Sequence, residues 1–259
     1  IYINNMNCEI KTEYISIFTN ILKNYKNFSE YVSFYCIENQ MTIQNMDINQ
    51  ICLGNISAKK SWFEKYELED NNLDFHIKSE IISKAFSNLG NTQSIELKLD
   101  TNTNKINIIL TNDRNIKKKF SISTIELDNE IIDIEETTEN DVDMQLEFKL
   151  FDSYISQLSS FGETIKLHCQ EDFIYLESTN ISDSMKIEFP IDSLDEFSIT
   201  EDFIFSANYN NKYFNIVGTF KNICSNISMH INNEKPLQFK LLNDENITMK
   251  FYLAPQDSD

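Results

Sequence analysis

The feature that most constrains this sequence is a short unit that occurs twice. Residues 89–99 read LGNTQSIELKL and residues 161–169 read FGETIKLHC. In both segments a glycine follows a stretch with the apolar spacing of one helical face, and a strand-like alternation comes next. Because the same order of helix, glycine and strand occurs in each half of the chain, we expect two similar domains.

Four stretches have apolar residues at the spacing of one helical face. They are residues 14–26, 79–89, 150–161 and about 208–217. Gly90, Gly162 and Gly218 stand at the ends of the last three, where glycine is a frequent cap. The sequence therefore predicts four short helices, three of them closed by a glycine.

Runs of alternating or apolar residues between these helices predict strands. The helices are too short, and the strands too often consecutive, for crossover connections in a parallel sheet. We therefore expect an α+β fold with antiparallel sheets. The predicted strands are residues 31–37, 41–46, 51–57, 94–100, 105–111, 144–150, 164–170, 173–179, 184–190, 203–209, 226–231, 237–242 and 247–255.

Residues 120–136, FSISTIELDNEIIDIEE, lie between the two halves. The stretch begins as a strand-like alternation and continues with Ile and Leu interleaved with acids, without Gly or Pro. A solvated linker needs no such apolar side chains, so we expect them to dock on the protein. We predict an N-terminal domain over residues 1–121, a connecting segment over 122–138 and a C-terminal domain over 139–259.

Composition limits the classes of function. The net charge of −19 argues against a surface that binds nucleic acid all over, although a local basic face stays possible. No apolar run approaches the roughly 20 residues that span a membrane. Five scattered cysteines without a CxxC pair, and no leader-like start, favour reduced thiols inside a cell.

Nothing in the sequence has the spacing of an active site. The three histidines, His76, His168 and His230, are far apart, and no phosphate-binding loop or nucleophile motif occurs. The acidic residues between 135 and 143 could be imagined as a metal site, but a solvated segment is the better interpretation. We therefore expect a protein without catalysis and without a cofactor.

Several short motifs occur in the order and spacing of one known family. They are IQNMD at residues 43–47, ELDNE at 126–130, MKFYLAP at 249–255 and the two helix–glycine–strand units. Over essentially its whole length the chain resembles the proliferating cell nuclear antigen (PCNA) family of DNA sliding clamps, as a diverged member. The resemblance implies the DNA-clamp fold, with three two-domain subunits closed into a ring whose hole is lined by helices.

The resemblance also implies a function and partners. It implies a DNA polymerase processivity factor that encircles duplex DNA and tethers a polymerase, a clamp loader and other clients carrying a short aromatic or aliphatic motif. Its place would be the nucleus, or a cytoplasmic replication site if the source is a virus. The alternative is a clamp-like interaction scaffold, or one subunit of a heteromeric ring, with weak or no DNA encirclement of its own.

By position, the resemblance implies a groove for client peptides. Leu53 fits a core position as well as a groove position. Gln50 replaces a histidine common in the family, and Asp133 and Glu135 replace a glycine and a proline. The expected lining is Met46, Gln50, Ile51, Leu53, Ile125, Leu127, Ile132, Ile134, Pro236, Tyr252, Ala254 and Pro255.

Two further surfaces follow from the resemblance. Lysines on polar helix faces would contact phosphates without reading bases, although Ser153, Ser156 and Ser160 stand where the family has basic residues. The expected DNA-facing residues are Lys23, Lys26, Asn27, Lys84 and Lys212. Residues 115–123 and 183–189 match strands that pair between subunits, with Lys117, Lys118, Lys119, Ser184, Met185, Lys186 and Ile187 as the expected contacts.

Overall fold

The structure, a computed structural model, describes residues 6–128, 130–134 and 139–256. These residues form two compact units. The first takes in the residues up to Ile48, with Gly54–Asp133 and Asn243–Met249, and the second takes in Asn49–Leu53, Ile134–Leu242 and the residues from Lys250 on. The division at residues 133 and 134 falls inside the segment predicted to connect two domains, whose limits stay a prediction.

The first unit contains two antiparallel sheets and two helices. Its strands are β1 (Met6–Ile10), β2 (Tyr31–Ile37), β3 (Gln40–Met46), β4 (Cys52–Lys59, of which residues 54–59 belong to this unit), β5 (Phe63–Leu68), β6 (Asn72–Lys78), β7 (Thr92–Asp100), β8 (Lys105–Asn112) and β9 (Lys117–Ser123). The strand orders are β5–β1–β7–β8–β9 and β4–β3–β2–β6. The helices are α1 (Ile15–Asn24) and α2 (Ser79–Ala85).

Aromatic side chains fill the core of the first unit. Phe18 of α1 lies with its ring centroid 5.9 Å from that of Trp62 and 5.8 Å from that of Phe86. The Ser83 Oγ atom of α2 donates a hydrogen bond to the carbonyl oxygen of Lys23 at 2.7 Å. The end of α1 therefore lies against α2, and the polar faces of both helices share one side of the unit.

The second unit repeats this plan. Its strands are β10 (Val142–Glu147), β11 (Thr164–Cys169), β12 (Phe173–Thr179), β13 (Ser184–Pro190), β14 (Glu196–Ile199), β15 (Phe205–Asn210), β16 (Asn226–Ile231), β17 (Leu237–Asn243) and residues 250–253 of β18 (Ile247–Leu253). The strand orders are β14–β10–β16–β17 and β13–β12–β11–β15. The helices are α3 (Phe148–Leu158) and α4 (Asn211–Gly218).

The two helices of the second unit pack closely at a glycine. A Cβ atom added to Gly218 would lie 2.5 Å from the Asp152 Oδ1 atom, so a larger residue in α4 would require the Asp152 side chain of α3 to shift. The same Asp152 carboxylate forms an ion pair with Lys221, with 2.5 Å between Nζ and Oδ2. Asn215 adds a hydrogen bond of 2.8 Å from its Nδ2 atom to Ser159 Oγ.

This architecture confirms the α+β class with antiparallel sheets, and four α-helices occur among the described residues. Several predicted bounds change. The helix expected at residues 14–26 is α-helical only over α1, with single 3-10 turns at Thr12–Tyr14 and Tyr25–Asn27. The strand expected at residues 144–150 ends at Glu147, because Phe148, Phe151, Ile155 and Leu158 are buried at helical spacing and begin α3 instead.

The prediction that glycines close three helices is right only in part. Helix α2 ends at Ala85, and Gly90, with φ +56°, lies in the turn before β7. Gly162 follows the end of α3, and Gly218 is the last residue of α4. Helix α4 begins where the Asn210 side chain accepts a hydrogen bond from the Lys212 backbone N–H, which is a typical N-cap.

Four strands have no counterpart in the prediction: β1, β5, β6 and β14. The alternation of Met6, Cys8 and Ile10, all buried, is the signal that identifies β1. Strand β5 has no such signal, because its buried residues Phe63 and Tyr66 are three apart. None of the five cysteines, all of which lie in the described ranges, forms a disulfide.

Candidate partner-binding and DNA-facing surfaces

The connecting segment is fixed to the first unit at two points. The Ile125 backbone N–H donates to the His76 carbonyl oxygen at 2.9 Å, in an isolated antiparallel bridge at β6. Farther along, the Ile132 N–H donates to Gln44 Oε1 at 2.7 Å, and Gln44 Nε2 donates to the Ile132 carbonyl oxygen at 2.9 Å. The segment therefore runs from the end of one sheet at β6 to the face of β3.

The expected groove residues of the first unit differ in exposure. Ile132 is 44% exposed and Met46 is 36% exposed, so both apolar side chains are open to solvent. Met46 follows Gln44 by two residues on β3 and therefore points to the same face of the strand. Ile125 and Leu127 are partly buried. The structure thus brings Met46 and Ile132 to one face, both next to Gln44.

The expected groove residues of the second unit lie near its chain-terminal strand. The Ala254 N–H donates to the Ile51 carbonyl oxygen at 3.0 Å, which brings these two predicted residues together. Gln50 has φ 58°, the left-handed conformation, and is exposed. Leu53 is 8% exposed, so the core interpretation of this residue fits its burial better than the groove interpretation.

The remaining groove candidates can be placed individually. Pro236 and Pro255 are exposed, whereas Tyr252 and Ile134 are partly buried. Asp133 is exposed. Asn129 of the ELDNE motif, and Glu135 with its neighbours to residue 138, lie outside the described residues.

The expected DNA-facing lysines lie on exposed helix faces. Lys23, Lys26, Lys84 and Lys212 are all exposed, as is Asn27. In the first unit, Lys84 Nζ is 2.7 Å from Glu80 Oε1. In the second unit, the Lys212 Nζ atom lies 5.4 Å from the centre of the Tyr213 ring.

Glu80 shows that several lysines surround one acid. The hydrogen bond and then the charge of Lys84 lower the pKa of the Glu80 carboxyl, and the charges of Lys26 and Lys78 lower it further. Lys78 is exposed and immediately precedes α2, but the helical spacing did not include it. A basic cluster of Lys23, Lys26, Lys78 and Lys84, with Glu80 among them, therefore occupies the helix side of the first unit.

The exposed face of α3 is nearly uncharged. Ser153 and Ser156 of α3 are exposed, as is Ser160 two residues after its end, and Gln157 donates a hydrogen bond to the Ser153 carbonyl oxygen at 3.2 Å. Lys149, in the first turn of α3, is exposed and is a basic residue that the sequence prediction did not include. The helix side of the second unit is thus less basic than that of the first.

The expected subunit contacts lie on terminal strands of two sheets. Strand β9, which contains Lys117, Lys118 and Lys119, ends one sheet of the first unit, and all three lysines are exposed. Strand β13 ends a sheet of the second unit, with Ser184 and Lys186 exposed and Met185 and Ile187 partly buried. Lys186 Nζ lies 4.0 Å from the centre of the Tyr175 ring and 3.0 Å from Glu188 Oε2.

No group of three or more His, Cys, Asp or Glu side chains in the described ranges could hold a metal ion. Within the same ranges, no helix has both the length and the apolar character to cross a membrane.

Comparison with solved structures defines the class of fold. A crystal structure of proliferating cellular nuclear antigen from Entamoeba histolytica superposes with a TM-score of 0.86 at 17% identity, and the match covers 98% of this chain and 100% of that chain. Residues 7–134 match the family model described as the proliferating cell nuclear antigen N-terminal domain. The fold is therefore the DNA-clamp fold, with two similar α+β domains.

Comparison with curated sequences adds two relatives. A protein named DNA polymerase sliding clamp 2, from Saccharolobus solfataricus, is 22% identical over 250 residues, which is 92% of this chain and 95% of the relative. A probable DNA polymerase sliding clamp 2 from Paramecium bursaria Chlorella virus 1 is 23% identical over 139 residues, about half of each chain (53% and 50%). The chain belongs to the proliferating cell nuclear antigen family of sliding clamps.

Proposed function

We propose that this chain is a DNA polymerase processivity factor. It forms a ring around duplex DNA, without reading base sequence, and holds a polymerase and other replication proteins there through a short peptide groove. Family membership and the names of the two curated relatives support this proposal. The main observation behind it is Ile132, whose apolar side chain is exposed while its backbone is hydrogen-bonded to Gln44 of β3. A site for an apolar anchor needs an accessible apolar side chain that is held in a fixed position.

The proposed groove residues of the first unit, Met46, Ile125, Leu127 and Ile132, are all apolar. Those proposed in the second unit, considered by itself, are the polar Gln50 and the mainly apolar Ile51, Ile134, Pro236, Tyr252, Ala254 and Pro255. Apolar side chains of this kind suit the aromatic and aliphatic anchors of a short client motif. The backbone of the connecting segment supplies hydrogen-bonding groups for an extended peptide.

The basic cluster on α1 and α2 is the proposed phosphate-contacting surface. Lysine suits this role as a mobile point charge that attracts phosphates of any sequence. Lys212 of the second unit adds one more contact. Strands β9 and β13 are the proposed contacts between subunits, because pairing of terminal strands satisfies their free backbone groups and a head-to-tail contact can close a ring.

Encirclement of DNA is tested by the mass of the assembly and by comparing retention on circular and linear DNA. Light scattering should give three times the mass of one chain at micromolar concentration. After loading with a clamp loader, the protein should stay on nicked circular DNA and leave when a restriction enzyme cuts the circle. A chain that stays monomeric, or that leaves circles and linear DNA equally fast, contradicts encirclement.

The groove is tested with a double variant. Ile132→Ala with Tyr252→Ala should abolish binding of a client peptide, measured by calorimetry, and leave the mass in solution unchanged. Ile37→Ala, an exposed isoleucine on β2, is the matched control and should bind the peptide as the unchanged protein does. Peptide binding that survives the double substitution would show that the groove lies elsewhere.

A second candidate function follows from α3. Its exposed face bears Ser153 and Ser156, Ser160 follows just after its end, and Lys149 is its one exposed basic residue, which favours a clamp-like scaffold or one subunit of a heteromeric ring. Under this alternative the chain alone gives a mass below three subunits and is not retained on nicked circles. Neither candidate assigns catalysis or a cofactor, and both place the chain at a site of DNA replication, in the nucleus or at a cytoplasmic viral site.

A further inference from the structure

The Gln44 side chain is a buried amide that forms hydrogen bonds with residues outside its own strand. It lies on β3, is 5% exposed and hydrogen-bonds the backbone of Ile132, which is 88 residues farther along the chain. Its Oε1 atom accepts from the Ile132 N–H, and its Nε2 atom donates to the Ile132 carbonyl oxygen. Because one partner is a donor and the other an acceptor, the orientation of the amide is fixed.

A neighbouring side chain holds this amide in place. Gln44 Nε2 donates a second hydrogen bond to Asn55 Oδ1 at 3.1 Å, and Asn55 Nδ2 lies 3.5 Å from Ser57 Oγ. Gln44 thus presents a donor and an acceptor to Ile132 much as a neighbouring strand would. Both Ile132 backbone groups are satisfied while its side chain stays 44% exposed.

The geometry of the connecting segment explains why a second attachment matters. From Ile125, paired at β6, to Ile132, seven residues can reach up to about 25 Å when extended. The strand order β3–β2–β6 separates the two attachment points by about two strand spacings, roughly 10 Å. The segment is therefore longer than the separation of its two attachment points requires, so the hydrogen bonds to Gln44 determine where Ile132 lies.

We propose that Gln44 is a positioning residue for the client groove, because its amide holds the connecting segment at Ile132 and keeps the Ile132 side chain presented to a peptide. This inference rests on the proposed groove and adds the residue that sets its wall. The contact involves no formal charge on either side. Salt should therefore leave the attachment of this acidic segment unchanged, whereas an attachment made by ion pairs would weaken.

The test uses Gln44→Met, which keeps the length of the side chain and removes both hydrogen-bonding groups, with Gln44→Ala as a second variant. Gln40→Met is the matched control, since Gln40 lies on the same strand and face and its amide donates to Thr42 Oγ1 at 2.9 Å. The first readout is exchange of the Ile132 amide hydrogen by NMR. The second is the Kd of a client peptide by calorimetry.

In both Gln44 variants, exchange of the Ile132 amide should quicken about tenfold or more, and the client peptide should bind about threefold to tenfold more weakly, as expected for two lost hydrogen bonds. The control should change neither quantity. Unchanged Ile132 exchange, or quickened exchange with unchanged Kd, would overturn the inference. If the unchanged protein binds no client peptide, the groove proposal itself fails, while the exchange measurement still reports whether Gln44 holds Ile132.

Discussion

Among single residues, His76 has the most unusual surroundings for an ionisable group. Its side chain on β6 is 2% exposed, and within the described structure neither ring nitrogen has a hydrogen-bond partner. The nearest charge is Asp74, with 3.7 Å between Nε2 and Oδ2. Burial lowers the pKa of His76, and the negative charge of Asp74 partly offsets this by raising it. The lowered pKa favours the neutral ring in the same residue whose carbonyl oxygen accepts the hydrogen bond from Ile125.

We predict that His76 makes the stability of the chain depend on pH. A folded-state pKa below the unfolded value of about 6.5 means that the unfolded chain binds the proton more readily, so unfolding free energy falls as the pH drops through that value. In urea unfolding at pH 7.5 and pH 5.5, His76→Leu should lose part of this fall. Asp74→Asn should enlarge the fall, because it removes the charge that favours the protonated ring. Equal pH dependence in all three proteins would contradict this origin.

Single residues also show where the sequence was sufficient. The exposure of Ile132 could be inferred, because the pair Ile131 and Ile132 lies between Glu130 and Asp133 in an acidic segment. Leu53 could not be assigned, since its burial depends on neighbours that are distant in sequence. Gln44 gave no signal of its own, because a glutamine on a strand is ordinary until the fold brings Ile132 to it.

At the scale of elements, α1 and α2 together create a basic surface that neither helix has alone. Glu80 lies among Lys26, Lys78 and Lys84, whose charges lower the pKa of its carboxyl. The acid is fully charged at neutral pH and cancels one of the surrounding positive charges. The net attraction of this face for phosphates is therefore smaller than its lysines suggest.

We predict that Glu80→Gln strengthens DNA binding. The substitution frees Lys84 from its ion pair and raises the charge of the helix face by one per subunit. Retention on nicked circular DNA should increase severalfold at about 0.15 M salt, with a steeper salt dependence. Glu69→Gln, the same change on an exposed residue between β5 and β6, is the control. Equal increases from both substitutions would point to overall charge and away from this face.

Elements differ in how well the sequence predicts them. Strands β2, β12 and β13 have the bounds expected from their patterns, because each has residues that suit a strand. The boundary of β10 with α3 was misplaced, since Phe148 fits an alternation as well as a helical face. Only tertiary packing, with Phe151 against Phe214 at 6.2 Å, decides between the two.

At the scale of the whole molecule, assembly depends on the two terminal strands. We predict that replacing Lys117, Lys118 and Lys119 with glutamate gives a monomer in light scattering. The three charges on β9 suit an acidic neighbour in a chain of net charge −19, and their reversal makes that approach repulsive. The control has the same change of charge and replaces Lys59, Lys60 and Lys65 with glutamate. Loss of assembly in both variants would show an effect of total charge alone.

The small number of basic residues on the helix faces also determines how strongly DNA retention depends on salt. With a basic cluster on one pair of helices and a nearly uncharged α3, few phosphates are neutralised per subunit, so we expect a shallow dependence. Ser153→Lys with Ser156→Lys adds two charges to the exposed face of α3, and each additional phosphate that is neutralised steepens the plot of log K against log salt by about 0.9. Ser193→Lys with Asn233→Lys adds the same charge at exposed positions outside the four α-helices. A steeper slope for the α3 variant alone would place α3 against DNA, and equal slopes would contradict a ring with its helices inside.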